Sequence, residues 1–317
     1  MRRARAAAFV YAGLGALMLA APGLGVYPVF LMKLLCYALF ACAFNLLLGY
    51  ARMLSFGHAA FFGSSAYITG WLTAVQGWGT VPGILGGVAL AMVLGLVIGA
   101  LAVRRHGIYF AMITLALSQL VFFVCLQADF TGGENGLQGI PRGSLFGLID
   151  LRGDRSMYYV VLAVCGAAYL FIRRIVDSPF GQVLQAIREN EPRAISLGYH
   201  ADRYRLQVFV LSAGLAGLAG SLKALVLGFV TLSDVSQAAS GEVILMTMLG
   251  GSGTFFGPVV GAGVVVSLEE YLSDRVGSWA TVVIGGIFVI CVIAFRRGIV
   301  GEIERRHLRP PTASRDS

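Results

Sequence analysis

Residues 174–205 read RIVDSPFGQVLQAIRENEPRAISLGYHADRYR, a polar and charged island in a chain that is otherwise apolar. Ser178 suits an N-cap, and Pro179 suits the first helical position, where a missing N–H costs nothing. Phe180, Val183, Leu184 and Ile187 follow at i, i+3, i+4, i+7 and so share one helix face. Pro192 disfavours helix at Asn190–Glu191. A second short helix is expected from about Pro192 to Leu197, with Gly198 placed to end it. The stretch therefore predicts a helix–bend–helix outside the bilayer, between two membrane spans. It reads either as an amphipathic segment resting on lipid headgroups or as a docking element for a soluble partner.

The rest of the chain supplies those spans. Of its 317 residues 57% are hydrophobic and 13% charged, where a soluble domain carries about a quarter charged. Apolar runs long enough to cross a bilayer recur, which gives an all-α, polytopic helical membrane protein of about ten membrane segments, some short or broken. The expected spans are 7–21, 29–49, 54–76, 83–103, 107–128, 157–172, 206–228, 242–253, 255–272 and 278–295. Residues 1–295 form one transmembrane domain, with 174–205 and an outer loop, 129–156, projecting from it and a tail from 296. The first apolar stretch follows MRRAR and reads as a retained span, because another long span comes at once. With the N-terminus inside, 18 of the 24 Lys and Arg fall in inner segments and Arg142, Arg152, Arg155 and Arg275 fall outside. That asymmetry puts both termini and 174–205 in the cytoplasm.

Residues 242–253 are too few for about 30 Å of hydrocarbon at about 1.5 Å per residue. They are expected to cross as a short helix plus extended Gly-rich chain buried in protein. Two interrupted regions, GYARMLSFGHAAFFGSSA at 49–66 and LGGSGTFFGPVVGAG at 249–263, sit in the two halves of the chain, a pointer to an internal inverted repeat. Ser212, Ala216 and Gly220, Gly95 and Gly99, and Gly257 and Gly261 make small-residue stripes that favour close helix packing within one subunit.

Catalytic chemistry finds little footing. There is no P-loop, no HExxH and no metal-ligand spacing, and nothing resembling a nucleophile with its base. The five cysteines, Cys36, Cys42, Cys125, Cys165 and Cys291, lie in apolar runs and read as small buried hydrophobes. Among ionisable residues in spans, Lys33 and Lys223 are expected to snorkel to the outer interface. His58 reads as a packing histidine or a path residue. Glu242 reads as a helix-start carboxylate or a contact to the path. Glu269 and Glu270 read as solvated. With no carboxylate evident at mid-depth, an ion-coupled carrier is the weaker transport reading, and the energy is expected to enter from outside the chain.

Four stretches carry a family resemblance: GYARMLSFGHAAFFGSSAY from Gly49, TGGENGLQGIPR from Thr131, SPFGQVLQAIRENEPRAISLGY from Ser178 and GGSGTFFGPVVGA from Gly250. In this order they resemble the M-type permease subunits of bacterial branched-chain amino acid ABC importers, over about residues 30–295. The resemblance implies that 178–199 docks on an ATPase subunit, with Arg188, Glu189, Glu191 and Gly198 in the coupling role. His58, Glu242, Gly250 and Gly251 are the candidate translocation-path residues. It further implies a second permease, two ATP-binding subunits, a periplasmic substrate-binding protein and a bacterial inner-membrane location, with no nucleic acid partner. ATP and magnesium belong to the partners, so that this chain binds no cofactor or metal and has no catalytic residue. Leucine, isoleucine and valine are the expected substrates, with urea, short amides or other amino acids as alternatives.

Overall fold

A computed structural model of the chain describes residues 27–145, 149–276, 282–283, 285–286 and 298–302. The expected span at 7–21, nearly all of that at 278–295, most of the tail, and Cys291 lie outside the described residues. Helix α1 (Pro28–Asn45) passes into a π-helical extension, Leu46–Ala51, and α2 (His58–Gly70) into a second, Trp71–Val75. There follow α3 (Thr80–Ala102), α4 (Ile108–Gln127), α5 (Asp154–Asp177), α6 (Pro179–Glu189), α7 (Glu191–Ser196), α8 (Ala201–Leu227), α9 (Gln237–Gly250) and α10 (Gly257–Val276). Two antiparallel pairs of two-residue strands tie the loops: β1 (Leu137–Gln138) with β4 (Phe229–Val230), and β2 (Ser144–Leu145) with β3 (Ile149–Asp150).

Five of the described helices are long and apolar enough to cross a membrane: Pro28–Ala51, α3, α4, α5 and α8. Their surroundings differ. In the apolar windows of α1 and α8, 72% and 78% of residues are buried, against 28%, 33% and 22% in α3, α4 and α5. The first two therefore form the centre, with α2 wedged beside them, and the other three turn a face outward. That outward face carries Leu85, Val93 and Leu96 on α3, Met112 and Phe123 on α4, and Leu170 on α5, side chains suited to hydrocarbon.

Small residues let the central helices meet. Gly95 lies over Ala213, Gly99 over Leu206 and Phe209, and Gly217 over Ala91. Gly220 is pressed against the backbone of Phe62, where any Cβ would collide. Hydroxyls join the same contacts: Ser65 bonds the carbonyl of Gly217 and the hydroxyl of Ser221, and Thr69 donates to Ser221 at 2.8 Å. Gly257 and Gly261 serve α10 in the same way, against Gly250 and Met246 of α9. The small-residue stripes thus pack within this chain.

Two expectations need correction. Lys223 does not snorkel: it is 3% exposed and its Nζ lies 2.6 Å from Asp234, which also accepts from the backbone N–H of Thr231. The chain folds back after α8 and brings the carboxylate to the lysine. Glu242 does not start a helix. Helix α9 begins earlier, at Gln237, with Ser236 capping the N–H of Ala239. By contrast Lys33 is partly exposed and pairs with Glu270 at 2.9 Å.

Candidate functional site

The site is the end of the bundle where α6 and α7 cross beneath α1 and α8. Local signals set both helices. Ser178 Oγ accepts from the N–H of Gly181, with Pro179 in the first turn of α6. Asn190 Oδ1 accepts from the N–H of Arg193 at 3.1 Å and so caps α7, which has Pro192 in its first turn. The two-helix break fell as the prolines predict, but the capping role of Asn190 was missed. An asparagine directly before Glu191–Pro192 was the available signal.

The apolar face of α6 is buried as its spacing predicts: Leu184 and Ile187 are hidden, and Phe180 stacks on Tyr204 of α8 with ring centroids 5.5 Å apart. Arg188 donates through Nη1 to the carbonyl of Gly49 in the extension of α1. That carbonyl belongs to the last turn of a helix, where acceptors lack intrahelical partners, and an arginine at a helix C-terminus also suits the dipole. Glu191 forms a bidentate pair with Arg205 of α8, both contacts 2.7 Å, and Arg205 also lies 3.0 Å from Nδ1 of His106. A cleft of about 690 Å³ opens here, bordered by Arg52, Arg105, Arg188 and Arg205 with Glu191. Arg52 has φ 53°, the one left-handed non-glycine residue among those described, and it terminates the extension of α1.

The four coupling candidates thus divide. Arg188 and Glu191 turn inward onto the bundle, whereas Glu189 and Gly198 are exposed, the latter with φ 91°. Beside them the surface carries Ile195, Leu197 and Tyr199, with Leu197 71% exposed. Neither Arg205 nor these apolar residues were among the coupling candidates read from the sequence.

The four candidate path residues also separate. His58 is fully buried between Phe40, Phe44 and Phe61, with Nε2 3.2 Å from Ser212 Oγ. Glu242 is half-buried on α9, two residues beyond Ser240, whose hydroxyl accepts from the N–H of Ala59. The starts of α2 and α9 therefore meet. Gly250 is packed against Gly257 and Gly261, and Gly251 lies buried at the end of α9 with φ 118°. From Gly251 to Phe256 the chain is not helical, and this break touches α1. Gly253 abuts Gly49, and the side chain of Asn45 spans the gap, accepting from Gly253 N–H at 2.9 Å and donating to Thr254 O at 3.0 Å. A single amide in ALFACAFNLLLGY was a polar signal within a span that the sequence reading passed over.

A family model described as the permease component of the branched-chain amino acid transport system matches residues 29–292. The high-affinity branched-chain amino acid transport permease LivM of Salmonella typhimurium is 29% identical over 290 residues, covering 83% of this chain and 67% of that protein. A probable LivM of Methanocaldococcus jannaschii is 28% identical over 184 residues, 55% of this chain and 52% of that one. The autoinducer 2 import permease LsrC of Salmonella paratyphi B is 25% identical over 244 residues, 70% and 69% of the two chains. No solved structure matches.

Proposed function

We propose, from the premise that this chain belongs to the permease family of branched-chain amino acid transport systems, how it takes part in import. It is a multi-pass membrane protein and a transport subunit of an ABC importer rather than an enzyme. In our reading it forms half of a path with a second permease in the bacterial inner membrane. Two ATP-binding subunits hold the nucleotide and magnesium, and a periplasmic protein delivers the substrate. This chain binds no cofactor of its own. The imported class is leucine, isoleucine and valine. Similarity to a permease named for autoinducer 2 import supports a second reading, the same role with another substrate.

One observation carries the mechanism: a short helix pair with an exposed face is fastened to the two most buried of the five long apolar helices, to α1 through Arg188 and to α8 through Glu191 and Arg205. The fastened pair is rigid enough to take a push, and its free surface is where a motor would grip. Glu189, Gly198 and the apolar side chains beside them contact the ATPase. Arg188 and Glu191 carry its displacement into the membrane body, which alternates between two packings.

The test is uptake of labelled leucine into proteoliposomes holding this chain with its cognate permease and ATPases, with and without the binding protein. Uptake is expected to need ATP and every partner. The Glu191→Ala variant should assemble normally and transport about tenfold less, within the range for a coupling loss of about 1–3 kcal/mol. Uptake by this chain alone that collapses with a protonophore would overturn the reading.

A further inference from the structure

We propose that Asn45 is the positioning residue that passes the movement of α6 to the break between α9 and α10. The inference rests on the importer role given above and deepens it. Asn45 and Gly49 lie one turn apart on the same face of α1. At Gly49 the carbonyl receives Arg188 from α6. At Asn45 the amide holds the break on two sides, through Gly253 N–H and Thr254 O. A side chain at Gly49 would strike the backbone of Gly253 at 2.6 Å, so the two backbones touch and only a glycine fits between them. The path from the coupling helix to the break is therefore continuous: guanidinium, terminal turn of α1, amide, backbone.

The receiving end is built to bend. Gly251 and Gly253 have φ of 118° and 80°, conformations that glycine adopts without strain. Helices α9 and α10 pack directly on each other through Gly250, Gly257 and Gly261, so a displacement of the break carries both. Asn45 is 4% exposed, and its side-chain amide offers an acceptor and a donor on separate atoms, one for each side of the break. A leucine, with the same branched shape but no polar atom, would leave Gly253 N–H and Thr254 O without their partner and free the break from α1.

The experiment uses the complete importer in proteoliposomes, reading leucine uptake and binding-protein-stimulated ATP hydrolysis together. For Asn45→Leu the transported leucine per ATP is expected to fall about tenfold, the size of an ordinary coupling term, while stimulated hydrolysis persists. Arg188→Gln should act at the same relay. Because the two residues lie in series, the double variant should be no worse than the poorer single variant, a non-additivity that independent folding defects do not produce. Uptake and hydrolysis falling in proportion, or losses that add in the double variant, would overturn the proposal. Assembly is checked by size exclusion, and Asn45→Asp, which keeps an acceptor for Gly253 N–H and loses the donor, serves if the leucine variant does not assemble; unchanged leucine per ATP in that variant also counts against Asn45. Failure of the wild-type complex to import leucine would instead strike the substrate reading, and wild-type hydrolysis that the binding protein does not stimulate would strike the importer role itself.

Discussion

Lys223 and Asp234 form an ion pair whose side chains are 4% and 8% exposed. Removing one partner leaves a charge without compensation in a place that water does not reach, at a cost of about 3–5 kcal/mol. Lys223→Met is therefore expected to lower the midpoint of thermal unfolding in detergent sharply. Adding Asp234→Leu should recover much of the loss, although the N–H of Thr231 then lacks its acceptor. A double variant no more stable than Lys223→Met would show that the loss does not come from the carboxylate left unpaired. The sequence reading sent Lys223 to the interface because distance to a helix end is all that spacing reveals. Its partner comes from a turn eleven residues on, and that return of the chain is tertiary. Asn45 was overlooked for a related reason: its partners lie more than 200 positions away, at Gly253 and Thr254, so nothing nearby marked it.

At the level of the element, what was written locally was read well. The cap at Ser178, the prolines at 179 and 192 and the apolar spacing of α6 all act where they stand. Replacing the cap of α7 tests how independent that short helix is. Asn190→Ala should cost about 1 kcal/mol, seen as faster amide hydrogen exchange across 191–196 with α8 unchanged. If the spanning helices loosen as well, α7 is not a separate unit. Contacts between spans give the opposite case. Gly220 has no room for a side chain against Phe62, so Gly220→Val should force α2 from α8 and cost about 3 kcal/mol or more, since overpacking alone costs about 1–3 kcal/mol. Expression and thermal unfolding of that variant against Gly166→Val, a position with open space, separate packing from propensity.

Across the described residues, the pairs α1–α2 and α8–α9 follow a similar course in opposite directions. Helices α1 and α8 run antiparallel, since Ser212 meets Ala43 while the end of α1 and the start of α8 are both joined to the α6–α7 region. Each ends on a left-handed residue, Arg52 with φ 53° and Gly228 with φ 75°. Each is followed by a stretch without α-helix and then by a shorter helix, α2 or α9, and those two helices meet at Ala59 and Ser240. The sequence reading paired 49–66 with 249–263 as a pointer to an inverted repeat; in the described residues the stretch that follows α8 is 228–236, GFVTLSDVS, with one glycine, while the second glycine-rich region joins α9 to α10. Such a body has unlike ends: Arg188 and Arg205 hold the α6–α7 end, and Lys33 with Glu270 marks the other. Glu189 and Glu270 are both exposed, so each accepts a cysteine with little loss, and the described native cysteines are buried. In a background with the native cysteines replaced, a maleimide that cannot cross the membrane should label Glu189→Cys only from the cytoplasmic side of sealed vesicles and Glu270→Cys only from the other. Labelling of both from one side would mean that α10 does not traverse the membrane, and the assignment of Lys33 and Glu270 to the opposite membrane face would fail with it.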